Sequence, residues 1–163
     1  MSQTSGGLPG EHVRIAVQSA DFDSGAEQRR LQQLSKGIGA VASFVGTVRN
    51  HNDGDQIATL TLEHYPGMTE KSLADIVQRA AARWPLLAAT VIHRVGELRP
   101  GDQIVLVAVA SAHRDAAFDA CRFIMDYLKT EAPFWKKEGT ADGGRWVDAR
   151  DSDDAALQKW QAP

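Results

Sequence analysis

The sequence predicts an α+β fold with a mostly antiparallel or mixed sheet, about three helices and a C-terminal hairpin. Two observations carry the class. Short apolar or alternating runs come in pairs, separated by longer stretches with helical spacing. Between the members of pairs stand turn formers, Asp53-Gly54, Pro100-Gly101 and Asp142-Gly143-Gly144, not the long crossovers that parallel strands need. The expected order is β-α-β-β-α-β-β-α-β-β, without an internal repeat or an interdomain linker.

Residues 1–10 are rich in Gly, Ser and Pro and are expected to be disordered. One domain is expected over 11–150. His12 to Gln18 alternates Val13, Ile15 and Val17 as a strand does. Ser24 and Glu27 stand at capping-box spacing, with Leu31 and Leu34 following on one face, so a short helix is expected to end near Gly37 and Gly39. Ala40 to Val48 and Gln56 to His64 read as strands around a loop of turn formers. Pro66-Gly67 breaks the second, and Thr69 is expected to cap a helix that Pro85 stops; its apolar positions are Leu73, Ile76, Val77, Ala80 and Trp84. Ala89 to Val95 and Gln103 to Ala110 are strands, the latter apolar enough for a central position. Ser111 is expected to start a second long helix with Phe118, Cys121, Met125 and Leu128 on one face, ended by Pro133. Phe134 to Glu138 and Arg145 to Ala149 form the closing hairpin. An acidic tail of loose helical character occupies 151–163.

The chain has 163 residues, 43% hydrophobic and 24% charged, with a net charge of -3, enough for one core without disulfides or metal. The charge argues against broad nucleic-acid binding. No apolar run approaches the roughly 20 residues of a membrane helix, and the N-terminus lacks the features of a signal peptide. The single cysteine, Cys121, cannot form an internal disulfide, so a cytoplasmic location is the simplest expectation.

Several chemistries are missing from the sequence. There is no GxGxxG, Walker A, HExxH or CxxC, and His12, His51, His64, His93 and His113 fall in different segments, so neither a metal nor a cofactor is expected. His64 and His93 read as strand residues with satisfied hydrogen bonds. Cys121 reads as a small apolar residue on the inner face of its helix, not as a sulfur-bearing nucleophile.

The chemistry-bearing stretch is SAHRDAAFDACRFIMDYLKTEAPFWKKE, residues 111–138. His113 and Arg114 follow a buried strand at a helix start, where free N–H groups and the dipole favour an anion; a solvated helix start explains them equally. Lys129 ends the helix, and Lys136 follows Pro133 on the next strand. A helix-terminal cation and an exposed edge lysine are ordinary features. However, Phe134-Trp135 sets an apolar wall beside an amine, and a desolvated lysine near other cations can act as base or nucleophile. Were Arg49, His113, Arg114, Lys129 and Lys136 to converge, this acidic chain would hold one cationic pocket for a phosphate- or carboxylate-bearing small molecule.

FVGTVRNHNDGD, LTLEHYPGMTEKSL, WPLLAATVIHRVGEL, PGDQIVLVAVASAHRDAAF, FIMDYLKTEAPFWKKE and RWVDAR together resemble the molybdopterin synthase catalytic (large) subunit family over about residues 40–150. The resemblance implies an α/β-hammerhead fold and a homodimer. Each copy would bind one small ubiquitin-like sulfur-carrier subunit, giving a heterotetramer. It implies conversion of cyclic pyranopterin monophosphate to molybdopterin, in molybdenum cofactor biosynthesis. Two dithiolene sulfurs would come from the carrier's C-terminal Gly-Gly thiocarboxylate. Carried over by motif, Lys129 and Lys136 are the implied catalytic lysines. Arg49, His113 and Arg114 are implied substrate-pocket residues, adjoined by Thr47, Val48, Lys137 and Glu138, with Arg150 contributed by the other subunit. The family often carries lysine where this chain has Thr47. Two alternatives compete. A Schiff-base lysine lyase acting on a phosphorylated carbonyl compound would be trapped by borohydride. A non-catalytic module for a ubiquitin-like protein would keep partner binding in Lys129→Ala and Lys136→Ala, with no chemistry to lose.

Overall fold

In the computed structural model, residues 7–52, 55–56, 58–140, 143–147 and 151–161 are described. Their strands are β1 (Val13–Gln18), β2 (Ala40–Thr47), β3 (His51–Asn52), β4 (Asp55–Gln56), β5 (Thr59–His64), β6 (Leu86–Arg94), β7 (Gly96–Leu98), β8 (Gln103–Ser111), β9 (Phe134–Thr140) and β10 (Gly143–Val147). The helices are α1 (Ser24–Gln32), α2 (Met68–Arg83), α3 (Arg114–Glu131) and α4 (Asp151–Gln161). The mixed α+β class is the expected one, with four helices where about three were expected.

The first sheet runs β1-β6-β8-β2, with β1 parallel to β6 and the other pairs antiparallel. Its central strand is apolar on both faces because both are covered. Val105, Val107 and Val109 pack into the cluster with α2 and α3, while Leu106, Ala108 and Ala110 face Leu31 of α1. The second sheet runs β10-β9-β5-β7, wholly antiparallel. So β2 and β5 do not pair across the Asp/Gly loop. The hairpin signal there belongs to the two-residue strands β3 and β4 within it. Strand β7, which was not expected, is too short at three residues to show a period.

Several local expectations need correction. The α1 cap is Asp23, whose carboxylate accepts from the Ala26 N–H at 3.0 Å, one residue before the expected Ser24. α2 begins ahead of Thr69: the Glu70 carboxylate accepts from the Gly67 N–H at 2.6 Å, with Gly67 at φ 84°, a conformation that favours glycine. Thr69 is buried, and its hydroxyl donates to the Tyr65 carbonyl. Ser111 ends β8 and donates to the Pro85 carbonyl at 2.8 Å, so α3 starts only at Arg114. Phe118 is 64% exposed, off the buried face that Cys121, Met125 and Leu128 share.

The chain ends are packed where they are described. Leu8 is buried, and its backbone exchanges two hydrogen bonds with the Gln78 amide, so order begins before residue 11. The expected loose tail helix is a docked one. Leu157 of α4 is buried, and Trp160 packs edge-on against Trp84 and Phe123, its indole donating to Asp126 at 2.6 Å.

Candidate active site

A cavity of about 310 Å³ opens where the two sheets meet the C-terminal end of α3. Antiparallel register sets Leu62 of β5 opposite Lys136 of β9, and Leu60 opposite Glu138, so these side chains share one face of the second sheet. The first sheet contributes a row across three strands, in which Gly46 of β2 lies opposite Val105 of β8, itself opposite His93 of β6. Phe44, Val45, Thr47 and Arg49 enter from the end of β2, and Leu128 and Lys129 from the last turn of α3. Gly46 keeps the floor open: a Cβ there would stand 2.9 Å from a Val105 methyl and 3.3 Å from the Phe44 ring.

Pro133 brings the two lysines together. It ends α3, and the residue before a proline is driven out of the helical region. Ala132 accordingly takes φ -71°, ψ 134°, and the chain reverses directly into β9. A lysine at a helix end and a lysine on a strand, seven residues apart, therefore line the same cavity.

Of the expected site residues, Thr47, Arg49, Lys129 and Lys136 line this cavity. Val48 lies beneath it, buried with Leu60, Leu62 and Leu98, its N–H donating to the Asp102 carbonyl at 2.9 Å. Glu138 is buried on the Lys136 face and already engaged in interactions, whereas Lys137, one residue out of phase, is exposed on the opposite face. Trp135 also turns to that outer face, against Tyr65 at 4.8 Å, so of the expected aromatic wall only Phe134 stands in the cavity. His113 and Arg114 do not reach it. They are exposed at the far end of α3, fifteen residues from Lys129, or about 22 Å of helix. Arg150 lies outside the described residues.

The electrostatics are one-sided. Arg49, Lys129 and Lys136 line the cavity, and no carboxylate does among the described residues, although the whole chain carries -3. Low-dielectric walls of Leu60, Leu62, Leu128 and Phe134 strengthen their joint attraction for an anion. Among the described residues no group of three or more His, Cys, Asp or Glu side chains could hold a metal. Cys121 is buried, and desolvation pushes its thiol up to about 12, which suits the apolar role expected of it and leaves no ready thiolate.

His93 was expected to be an ordinary strand residue, yet it lines the cavity. The ring is 5% exposed and stacks on Phe134 at 3.7 Å between centroids and 17° between planes. Its Nδ1 lies 2.8 Å from the Arg94 carbonyl, which can only accept, so Nδ1 carries the proton. Burial above all lowers its pKa to about 3; the carbonyl bond opposes the shift, and the charges of Lys129, Lys136 and His64 add to it. His64 departs from expectation too, because its buried Nδ1 has no hydrogen-bond partner. The available signal for His93 was its alternation with Ala89 and Val91, which turns it toward the main core beneath α2 and α3.

Residues 17–131, more than two thirds of the chain, match the family described as MoaE protein. Among curated proteins, the molybdopterin synthase catalytic subunit of Ralstonia nicotianae is 66% identical over 146 residues, covering 90% of this chain and 83% of that protein. That of Pseudomonas aeruginosa is 59% identical over 149 residues, covering 91% of this chain and 99% of that protein. Among solved structures, a molybdopterin biosynthesis MoaE protein from Burkholderia ambifaria superposes with a TM-score of 0.80 at 54% identity, covering 93% of this chain and 99% of that one.

Proposed function

The chain belongs to the MoaE protein family, and from that premise we propose that it is the catalytic subunit that inserts two dithiolene sulfurs into cyclic pyranopterin monophosphate, giving molybdopterin. The sulfur arrives on a small ubiquitin-like carrier whose Gly-Gly C-terminus ends in a thiocarboxylate. One observation carries the reading: two lysines and an arginine, from three separate segments, line one cavity without a lining carboxylate among the described residues. Such a cavity suits two anions, the cyclic phosphate and the carrier's terminus.

Lys129 and Lys136 hold the thiocarboxylate and assist attack and proton transfer at the pterin. Arg49 binds the substrate phosphate. Thr47 borders the same anion, while Val48, Lys137 and Glu138 hold the backbone around it in place. His113 and Arg114 serve the cavity of a second copy, because about 22 Å of helix separates them from the Lys129 of their own. Arg150 also acts across that dimer, within a heterotetramer of two catalytic and two carrier subunits. No helix among the described residues is long and apolar enough to cross a membrane. A lone buried cysteine suits a reducing compartment, so the work is done in the cytoplasm.

The direct test mixes the purified protein with thiocarboxylated carrier and cyclic pyranopterin monophosphate and assays for dithiolene product. Stoichiometric sulfur transfer is the expected result. Carrier and substrate that both bind without product would overturn the reading.

A further inference from the structure

We propose that Asp126 is a positioning residue, held by the C-terminal helix α4 so that it does not compete with a bound anion for the Lys129 ammonium. The spacing of α3 makes that competition possible. Residues three or four apart on a helix carry their Cβ atoms about 5–6 Å apart, and an acid three residues before a lysine pairs with it. Of the four positions at that spacing from Lys129, Met125, Ala132 and Pro133 carry no charge. Asp126 is therefore the one acid within reach along the helix.

The Asp126 carboxylate is turned to α4 instead. Its Oδ2 accepts from the Trp160 indole at 2.6 Å and pairs with the Lys159 ammonium at 3.4 Å, and the side chain is only 17% exposed. α4 can present both donors because it is itself pinned. Leu157 is buried, and the Trp160 ring packs edge-on against Trp84 and Phe123. The Arg83 guanidinium donates to the Trp160 carbonyl at 3.0 Å and lies over all three rings. Glu131, two residues past Lys129, is engaged in the same manner by Arg79 of α2. These two acids of α3 are thus tied to other helices, which leaves a cavity lined by three cations and by no carboxylate among the described residues. The described residues of α4 lie outside the cavity lining, and the helix acts on the site through one carboxylate.

This assignment rests on the proposed sulfur transfer only for its effect on turnover, and two measurements separate the claims. The first is a lysine 13Cε–15Nζ correlation spectrum of the full-length protein, recorded without carrier or substrate and assigned with Lys129→Arg. Lys159→Met and Trp160→Phe together remove both donors from Asp126 and keep a ring at position 160. The Lys129 resonance should move in that double variant and return when Asp126→Asn is added. Lys159→Met alone, which alters only an exposed side chain, should move it in the same direction by less. A resonance indifferent to these changes, or one that Asp126→Asn does not return, would overturn the proposal whatever the enzyme does. The second measurement is turnover with thiocarboxylated carrier. The double variant should lose about 3- to 5-fold in kcat/KM, the upper worth of a partly exposed ion pair. The triple variant should come back to within about twofold of wild type. A triple variant as impaired as the double means that α4 matters only for packing and rejects the proposal, as does wild-type turnover in the double variant. If the wild-type protein transfers no sulfur, the functional reading fails while the spectra still decide the role of Asp126.

Discussion

Pairing Lys129→Ala in one copy with Arg114→Ala in another tests whether a working site draws on two copies of the chain. The two residues occupy opposite ends of α3, about 22 Å apart, and only Lys129 lines the cavity. Each variant alone should be nearly inactive, because every site in the proposed homodimer lacks one of the two groups. In a mixed dimer, one site loses both groups and the other keeps both. Random exchange makes about half the dimers mixed, each with one intact site of two, so an equimolar mixture should recover about 25% of wild-type turnover. The variants are co-expressed with different affinity tags, or exchanged in mild denaturant, then assayed with saturating thiocarboxylated carrier. Purified mixed dimers should reach about half of the wild-type rate. If purified mixed dimers stay as inactive as the parents, His113 and Arg114 do not serve a neighbouring cavity, and their assignment as substrate residues fails.

Three other outcomes follow from the geometry. Lys129→Ala and Lys136→Ala should each lower turnover by about 10²–10³ with an unchanged circular dichroism spectrum, since preorganised charges commonly carry that much of a rate. The His93 pKa lies at about 3 in the fold against an ordinary 6.5, so as the pH falls the unfolded chain takes up the proton first. Stability should therefore fall between about pH 6.5 and 3, by on the order of 5 kcal/mol in all, and urea midpoints at pH 7 and 4 should differ less in His93→Phe than in wild type. Trp160→Ala removes the ring that packs on Trp84 and Phe123 and should cost about 2 kcal/mol by urea titration, less than a fully buried tryptophan because the side chain is only partly covered.

The long elements were legible because burial stamps a period on them. α2, α3 and β8 carry apolar positions at the spacing their faces require, and their limits were read to within a few residues. What the period does not record was missed. The start of α3 is decided by whether the Ser111 hydroxyl caps a helix or reaches the Pro85 carbonyl, twenty-six residues away, and sequence spacing carries no trace of that choice. The partners of β2 and β5 were hidden for the same reason: each is a strand by pattern, but its neighbours lie far along the chain. At the site, the cationic residues stood out by type, and Thr47, Arg49, Lys129 and Lys136 do meet. The alternation of β9 alone already points the Lys137 side chain away from that of Lys136. His93 looked ordinary because a histidine in an apolar strand is usually buried and bonded. It is both, and only its neighbours across the cavity make it more.

The site depends on a junction more than on any single side chain. Continued as helix past Lys129, the chain would set position 136 almost two full turns away on the same surface, about 10 Å up the axis and facing the same way. Pro133 forbids that path and sends the chain back as β9, so the second amine comes in from the sheet while the first comes in from the helix. Two amines carried by different elements can approach one bound group from different directions; two on a single helix face would compete for the same end. The register of β9 against β5 then fixes which residues face inward. Lys136 lies opposite Leu62 and Glu138 opposite Leu60, leaving Lys137 to solvent. A one-residue slip would exchange the inward amine and the buried carboxylate for Trp135 and Lys137. The pairing of β9 with both β5 and β10 resists that slip on two sides, which gives the hairpin after the lysines a part in the chemistry although the described residues of its outer strand lie outside the cavity lining.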